Sequence, residues 1–305
     1  MSKKLISVIG PTAIGKTTLA IALANHFDTE IISADSRQFF KEMRIGTAVP
    51  STEELKQARH HFIQHKSIFE PFTVGDFERA AIEKIEGIFK EKDYIIMVGG
   101  SGLYVDAVIN GLDEFPKVDP EVRIHLNTSF EEKGIEYLQQ ELQQHDPNYY
   151  KEVDISNPHR LIRALEICIG TGRPYSSFLK KKKAQRTFQT TTIGMMAPRE
   201  TIYERINQRV ALMMEEGLLE EARSLYDHKA LNALQTVGYK ELFHFFDGHG
   251  TLEFAVEEIK KNTRRFAKRQ LTWYRKKEDV LWVDYDLEPA KIIDRLEKQI
   301  IENNK

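Results

Sequence analysis

Gly10-Pro11-Thr12-Ala13-Ile14-Gly15-Lys16-Thr17 has the pattern Gly-x-x-x-x-Gly-Lys-Thr. Its glycines let the backbone curl until several N–H groups face one concavity. Lys16 adds a mobile positive charge and Thr17 a hydroxyl suited to Mg²⁺. Gly10, Thr12, Ala13, Ile14, Gly15, Lys16 and Thr17 are therefore candidate contacts to a di- or triphosphate. Arg205 and Arg209, four residues apart, share a helix face and suit a second grip on the same anion. Asp35, heading Asp35-Ser36-Arg37-Gln38, is the candidate base, and Ser101, inside Gly99-Gly100-Ser101-Gly102, offers a hydroxyl. Two chemistries suit such a set. A kinase would transfer the terminal phosphoryl group; another enzyme would hold a pyrophosphate that departs as a leaving group.

The elements around these residues place them together. Leu5–Ile9 has strand composition and Thr18–Ala24 helical composition, the context that a phosphate loop requires. The helix adds its positive amino end. Glu30–Ala34 is a second strand, ending on Asp35, and Asp93–Val98 a third, ending on Gly99. Ligands of open α/β sheets gather outside the carboxyl ends of strands, so the three loops converge on one edge. A phosphate-loop ATPase or kinase needs a carboxylate at the end of such a strand to hold Mg²⁺ through water. Ile95–Val98 ends on glycines instead, which weakens both readings. His60, His61 and His65 cluster, but no Cys or repeated carboxylate spacing accompanies them to suggest a metal site.

After Gly111 the alternation stops. Helical patterns cover 121–133, 135–145 and 158–169, followed by a basic exit, Lys180–Lys183 and Arg186. Thr187–Met195 returns as a strand. Helices over 200–216, 218–228 and 253–277, a strand over 281–284 and a charged helix complete the chain. The expected fold is α/β: a P-loop NTPase-like parallel sheet with flanking helices, built from 1–114 and 187–305, with a helical insertion domain over 115–186.

Forty-four Lys and Arg against 46 Asp and Glu give a net charge of −2, so no global basic bias marks the chain for nucleic acid. A local one does. Lys260, Lys261, Arg264, Arg265, Lys268, Arg269 and Arg275 lie on adjacent faces of one helix, with no acidic residue from Lys260 to Lys277. Ile259, Phe266 and Trp273 recur every seven residues and form the expected packing stripe opposite. Charge turned outward over an apolar stripe suits the phosphates of a nucleic acid, with Arg264 and Lys268 as candidate contacts. Cys168, the single cysteine, sits in an apolar run and is expected as a buried filler, which excludes an internal disulfide and suits a reducing cytoplasm. No apolar run approaches the roughly 18–20 residues of a membrane span, and the short amino-terminal one is no signal peptide.

Several further runs give a resemblance. Ile32-Ser33-Ala34-Asp35-Ser36-Arg37-Gln38, Ile45-Gly46-Thr47-Ala48, Val98-Gly99-Gly100-Ser101-Gly102-Leu103-Tyr104, His159-Arg160-Leu161-x-Arg163-Ala164-Leu165-Glu166, Thr171-Gly172-Arg173-Pro174, Val237-Gly238-Tyr239-Lys240-Glu241 and Lys268-Arg269-Gln270-x-Thr272-Trp273 follow the phosphate loop in order. Together they resemble the bacterial tRNA dimethylallyltransferases over nearly the whole chain. The resemblance implies transfer of a dimethylallyl group from its diphosphate to N6 of an adenosine beside a tRNA anticodon, releasing pyrophosphate. It implies Mg²⁺ on Thr17, charge neutralisation by Lys16 and Arg209, and Asp35 as general base. Ser101 stands at the family's tRNA-contact position beside Asp35. Asp35, Ser36, Arg37 and Gln38, together with Arg123, His159, Arg160, Leu161, Ile162 and Arg163, match further tRNA-contacting positions, and the insertion would grip the anticodon stem-loop. The expected enzyme is a cytoplasmic monomer. This chain has Ser101 where the family usually has Thr, and His159 where many members have Gln. A relative acting on free adenine nucleotides would need neither the insertion nor the basic helix, and a non-catalytic RNA-binding module would not need the phosphate site.

Overall fold

The computed structural model describes residues 3–179 and 184–302. Two compact units emerge, one from residues 1–110 and 185–305, the other from 111–184. The larger is built on a six-stranded sheet: β1 (Lys4–Ile9), β2 (Ile31–Ser33), β3 (His60–His61), β4 (Tyr94–Gly99), β5 (Gln189–Met196) and β6 (Val280–Asp284), in the order β3-β2-β4-β1-β5-β6. Every pairing is parallel. This is the expected α/β fold.

Helices α1 (Lys16–His26), α2 (Thr52–Gln57) and α3 (Val74–Ile88) connect the first four strands, and α4 (Gly102–Asn110) follows β4. Central β1 is buried along its whole length, as a strand covered on both faces must be. Its residues alternate between two cores. Leu5 and Ile9 join Phe77, Ala81, Ile85, Val105 and Val108 from α3 and α4, whereas Ile6 and Val8 join Leu19, Ala20 and Leu23 from α1.

Register fixes the functional edge. Ile9 pairs with Gly99 on one side and Gly194 on the other, and Ser33 pairs with Val98. The loops after β1, β2 and β4 thus leave three adjacent strands at one level. Short β3 went unread in the sequence. It gives the histidine cluster a structural role: His61 Nε2 lies 2.5 Å from Glu30 Oε2, and His65 packs edge-on against Phe39, Phe62 and Phe72.

The smaller unit contains α5 (Pro120–Lys133), α6 (Ile135–His145), α7 (Pro147–Glu152) and α8 (Pro158–Thr171). Three of them start alike. Asp119, Asp146 and Asn157 cap the first turn and a proline follows, where its missing N–H costs nothing. Buried Asp146 also accepts the Ser176 N–H at 2.6 Å and the Ser176 hydroxyl at 2.9 Å, fixing the turn after α8. Leu126, Leu138, Leu142, Leu161, Ile162 and Leu165 form the unit's own core, and Cys168 is buried as a filler. Lys180–Lys183 lie outside the described residues. Arg186 belongs to the larger unit, where it donates to Glu78 and to the carbonyls of Ala107 and Val108. It is a structural strut and not the exposed base that the sequence suggested.

The chain continues through α9 (Arg199–Glu215), α10 (Leu218–Ser224), α11 (Tyr239–Phe246), α12 (Leu252–Tyr274) and α13 (Pro289–Glu302). Glu221 of α10 accepts the N–H groups of Arg44, Ile45 and Gly46 at 3.0, 2.8 and 2.9 Å, and the Tyr239 hydroxyl at 2.6 Å. A Cβ on Gly46 would stand 2.6 Å from the Tyr239 ring. The Ile45-Gly46 and Gly238-Tyr239 motifs are therefore two sides of one packed joint.

Close approach also explains Gly99, where a Cβ would lie 2.4 Å from the Ala34 carbonyl oxygen. Gly87, near the end of α3, has nothing within 4 Å. Gly99→Ala is expected to lower unfolding free energy by about 1–3 kcal/mol through overpacking, and Gly87→Ala to raise it by up to about 1 kcal/mol. Urea denaturation of both variants measures the contrast.

Candidate active site

The phosphate loop depends on left-handed backbone. Gly15 has φ +103° and Ala13 φ +63°. Between them the chain reverses and opens α1, so the first amides of that helix face outward from the edge of the sheet. Lys16 Nζ donates to the Pro11 carbonyl at 2.7 Å, across the loop. Thr17 stands in the first turn of α1.

Two arginines of α9 close on the loop as their spacing predicts. Arg205 Nε donates to the Ala13 carbonyl at 2.7 Å, and Arg209 Nη1 to Thr12 Oγ1 at 3.3 Å. The cations press on one another. Burial and then the Arg209 charge pull Lys16 down to about 7, while Asp35 opposes the shift. Burial and then Arg205 lower the pKa of Arg209, and Asp35 again opposes. Asp35 is the carboxylate that acts on both. Such a site is short of negative charge and can bind a polyanion whose oxygens replace the missing counter-charge.

The acceptor side is built from the loops after β2 and β4. Asp35 Oδ1 accepts the Arg37 N–H at 3.1 Å, which turns the chain sharply at the strand end. Ser101 Oγ accepts the Ser36 N–H at 3.1 Å and lies 3.1 Å from Ser36 Oγ. The sequence places this hydroxyl beside Asp35; the structure ties it to Ser36, the next residue, so it holds the Asp35 loop. Arg37 donates to the carbonyls of Asn232 and Ala233 at 2.8 and 2.9 Å, and Gln38 to those of Thr47 and Ala48 at 3.1 and 2.8 Å. In this state both side chains hold loops in place.

Helix α12 supplies a wall that the sequence did not reveal. Its buried stripe is Ala255, Ile259, Ala267, Gln270 and Tyr274. Phe266 and Trp273, expected to pack with Ile259, are 38% and 39% exposed. At about 100° per residue the three stay within about 40° of one another and within the arc of the buried stripe, so the exposure of the last two reflects where neighbouring elements cease to cover α12. Gln270 Oε1 accepts the Thr12 N–H at 2.8 Å and its Nε2 donates to the Gly100 carbonyl at 2.9 Å. The Thr12 amide, expected on the diphosphate, is thereby committed to Gln270. The Trp273 indole donates to Asp106 at 2.8 Å, and Lys277 pairs with the same carboxylate. A Cβ at Gly100 would meet Gln270 at 2.4 Å, and one at Gly102 would meet Trp273 at 2.5 Å. The second glycine-rich loop thus serves close packing of α12. The signal for Gln270 was present: a polar residue in register with an apolar stripe.

Among the basic residues of α12, Arg264 donates to Asn207 at 2.7 Å, while Lys268 and Arg269 are exposed and make no ion pair among the described residues.

In the smaller unit, buried Glu166 accepts Arg123 at 3.0 Å and Arg163 at 2.8 Å on one oxygen, presenting two guanidiniums side by side. His159 and Arg160 are exposed at the start of α8. Leu161 and Ile162, expected to touch tRNA, are 0% and 3% exposed. They face inward because α8 has one apolar face and these residues lie on it, so their side chains serve the core.

Fold and loop together define a P-loop-type α/β protein. The IPP transferase family model matches residues 38–277. The tRNA dimethylallyltransferase of Christiangramia forsetii is 62% identical over 98% of this chain and 99% of its own. That of Flavobacterium johnsoniae is 59% identical over 99% of both chains. The crystal structure of the tRNA isopentenylpyrophosphate transferase of Bacillus halodurans superposes with a TM-score of 0.72 at 38% identity, covering 98% of this chain and 96% of that one. The chain belongs to the IPP transferase family.

The lowered pKa of Lys16 gives a measurable linkage. Free Lys16 is largely neutral above pH about 7; a bound diphosphate favours the charged form. Binding must therefore take up a proton above that pH, and affinity must fall as pH rises. Calorimetry with an alkyl diphosphate at alkaline pH, in buffers of different ionisation enthalpy, should show uptake approaching about one proton per site. The Lys16→Met variant should show none.

Proposed function

We propose that this chain transfers the dimethylallyl group of dimethylallyl diphosphate to N6 of adenosine 37 in tRNA. The observation that carries this reading is the cluster Lys16, Arg205 and Arg209 around the phosphate loop, opposed by Asp35 one loop away. Loop amides from Ala13 to Thr17, with Gly10 giving the turn, cradle the diphosphate. Breaking the allylic C–O bond puts new charge on the departing pyrophosphate. Lys16 and Arg209 meet that charge in fixed positions, which stabilises the transition state more than the ground state. N6 attacks the allylic carbon as the bond breaks. Asp35 takes the N6 proton, leaving a neutral secondary amine and free pyrophosphate. Ser101, through Ser36, keeps the Asp35 loop at the height the adenine needs.

Mg²⁺ fits this site as an ion that arrives with the diphosphate. Thr17 offers one hydroxyl at the start of α1, and the described residues hold no group of three His, Cys, Asp or Glu that could cage a metal. When bound, Mg²⁺ would add positive charge on the leaving group.

An adenine reacting at its Watson–Crick edge must be unstacked, which a single-stranded loop permits at low cost. Exposed Lys268 and Arg269, then Arg264, are assigned to tRNA phosphates. Arg123, His159, Arg160 and Arg163 are assigned to the anticodon stem-loop, with Glu166 setting the arginine pair. Asp35, Ser36, Arg37 and Gln38 complete the acceptor side, the last two after releasing their internal carbonyls. No helix among the described residues is long and apolar enough to cross a membrane. The reading includes a monomer working in the cytoplasm.

Mass spectrometry of nucleosides from tRNA incubated with the protein, dimethylallyl diphosphate and Mg²⁺ tests the activity; unmodified adenosine throughout would refute it. In the same assay Asp35→Asn should lower turnover on the order of 10²–10⁴-fold with diphosphate affinity little changed. Changing Arg264 and Lys268 together to Gln should flatten the salt dependence of tRNA binding by up to about 0.7–0.9 in slope per lost contact. An unaltered slope would make these residues a solvated face.

A further inference from the structure

We infer that Gln270 is a positioning residue that fixes the distance between the diphosphate cradle and the acceptor loop. This rests on the reaction proposed above, since the two loops hold its two substrates. Gln270 lies on α12 with 6% of its surface exposed. Its carboxamide uses both ends. The oxygen accepts the Thr12 N–H at 2.8 Å, and the nitrogen donates to the Gly100 carbonyl at 2.9 Å. Thr12 in turn accepts Arg209 through its hydroxyl at 3.3 Å. Gly100 precedes Ser101, which accepts the Ser36 N–H at 3.1 Å beside Asp35. One side chain thus ties Thr12, which holds Arg209, to the loop after β4, whose Ser101 holds the separate loop that carries Asp35.

The chemistry at 270 is restrictive. Reversing the amide would set two donors against each other at Thr12 and two acceptors at Gly100. A carboxylate could accept from Thr12 but not donate to Gly100. A lysine or arginine could donate but not accept. Asparagine falls one methylene short of spanning the gap. The space is also closed, because a Cβ at Gly100 would stand 2.4 Å from Gln270 Nε2. The Tyr274 hydroxyl reaches the Gly99 carbonyl at 3.4 Å, one helical turn on, so α12 touches the acceptor loop at two successive residues. In-line displacement is sensitive to such spacing. A misplacement of about 1 Å costs on the order of 10²-fold in rate.

Gln270→Met and Gln270→Glu keep the size of the side chain and remove both bonds or one. Both should lower kcat for tRNA about 10- to 100-fold while KM for dimethylallyl diphosphate stays within about threefold, because the amides of α1 remain. Amide hydrogen exchange on the same proteins, without substrate, should quicken together in residues 10–17 and 99–102 of Gln270→Met. Wild-type kcat in either variant, or faster exchange confined to α12, would overturn the inference. Failure of the wild-type protein to modify tRNA would instead refute the proposed reaction, and the paired exchange of the two loops would still decide whether Gln270 joins them.

Discussion

Lys16, Arg205 and Arg209 meet at the amino end of α1; Asp35 opposes their repulsion at both Lys16 and Arg209, and Glu54 adds to that opposition at Arg209. This imbalance is the constraint from which the rest of the site follows. Lys16, Arg205 and Arg209 could not sit together by their own preference; burial and mutual repulsion lower the pKa values of Lys16 and Arg209. They are held by backbone. Pro11 and Ala13 offer carbonyls, and the left-handed turn at Ala13 and Gly15 aims those carbonyls at the cations. The loop thus clamps the cations in place, and on the proposed function it also seats the diphosphate whose oxygens would supply the missing counter-charge.

Opposite this cradle, contact between α12 and the loop after β4 sets the geometry of the acceptor side. Gly100 and Gly102 lack side chains where Gln270 and Trp273 arrive, and Gly99 lacks one where the Ala34 backbone passes. Three glycines in four residues would normally give a mobile loop. Here each missing side chain is replaced by a neighbour, so the loop is rigid through tertiary contact. The same helix turns Lys268 and Arg269 to solvent, joining a charged outer face to an inner face that touches the reacting edge.

What could be read from the sequence was whatever local order encodes. The phosphate loop has a fixed spacing between a strand and a helix, so its place and charge pattern followed directly. Asp35 followed because strand ends face the site in any parallel sheet. Arg205 and Arg209 followed from a four-residue interval on one helix. The errors arose where a residue's role depends on a distant element. Ile259, Phe266 and Trp273 do form one stripe, yet the elements packed on α12 cover Ile259 and leave the last two partly exposed. Leu161 and Ile162 were expected to touch tRNA but lie on the inner face of α8. Gln270 and Glu221 act on residues 258 and about 175 positions away, which no local pattern reports. The turns and helix between 229 and 246 were missed because they are short and because Tyr239 packs on Gly46, distant in sequence.

Gln270 also has a consequence for how the protein is made. A chain leaves the ribosome amino end first, and domains fold as their sequence becomes available. The phosphate loop emerges together with β1. Its neighbour β5 follows only after the whole unit 111–184, Arg205 and Arg209 come later still, and Gln270 arrives near the end. β1 gains its second flank with β5, the loop gains its arginines with α9, and the Thr12 amide gains its partner only with α12. A chain that has not yet made α12 therefore has the cradle without the side chain that sets its distance from the loop after β4.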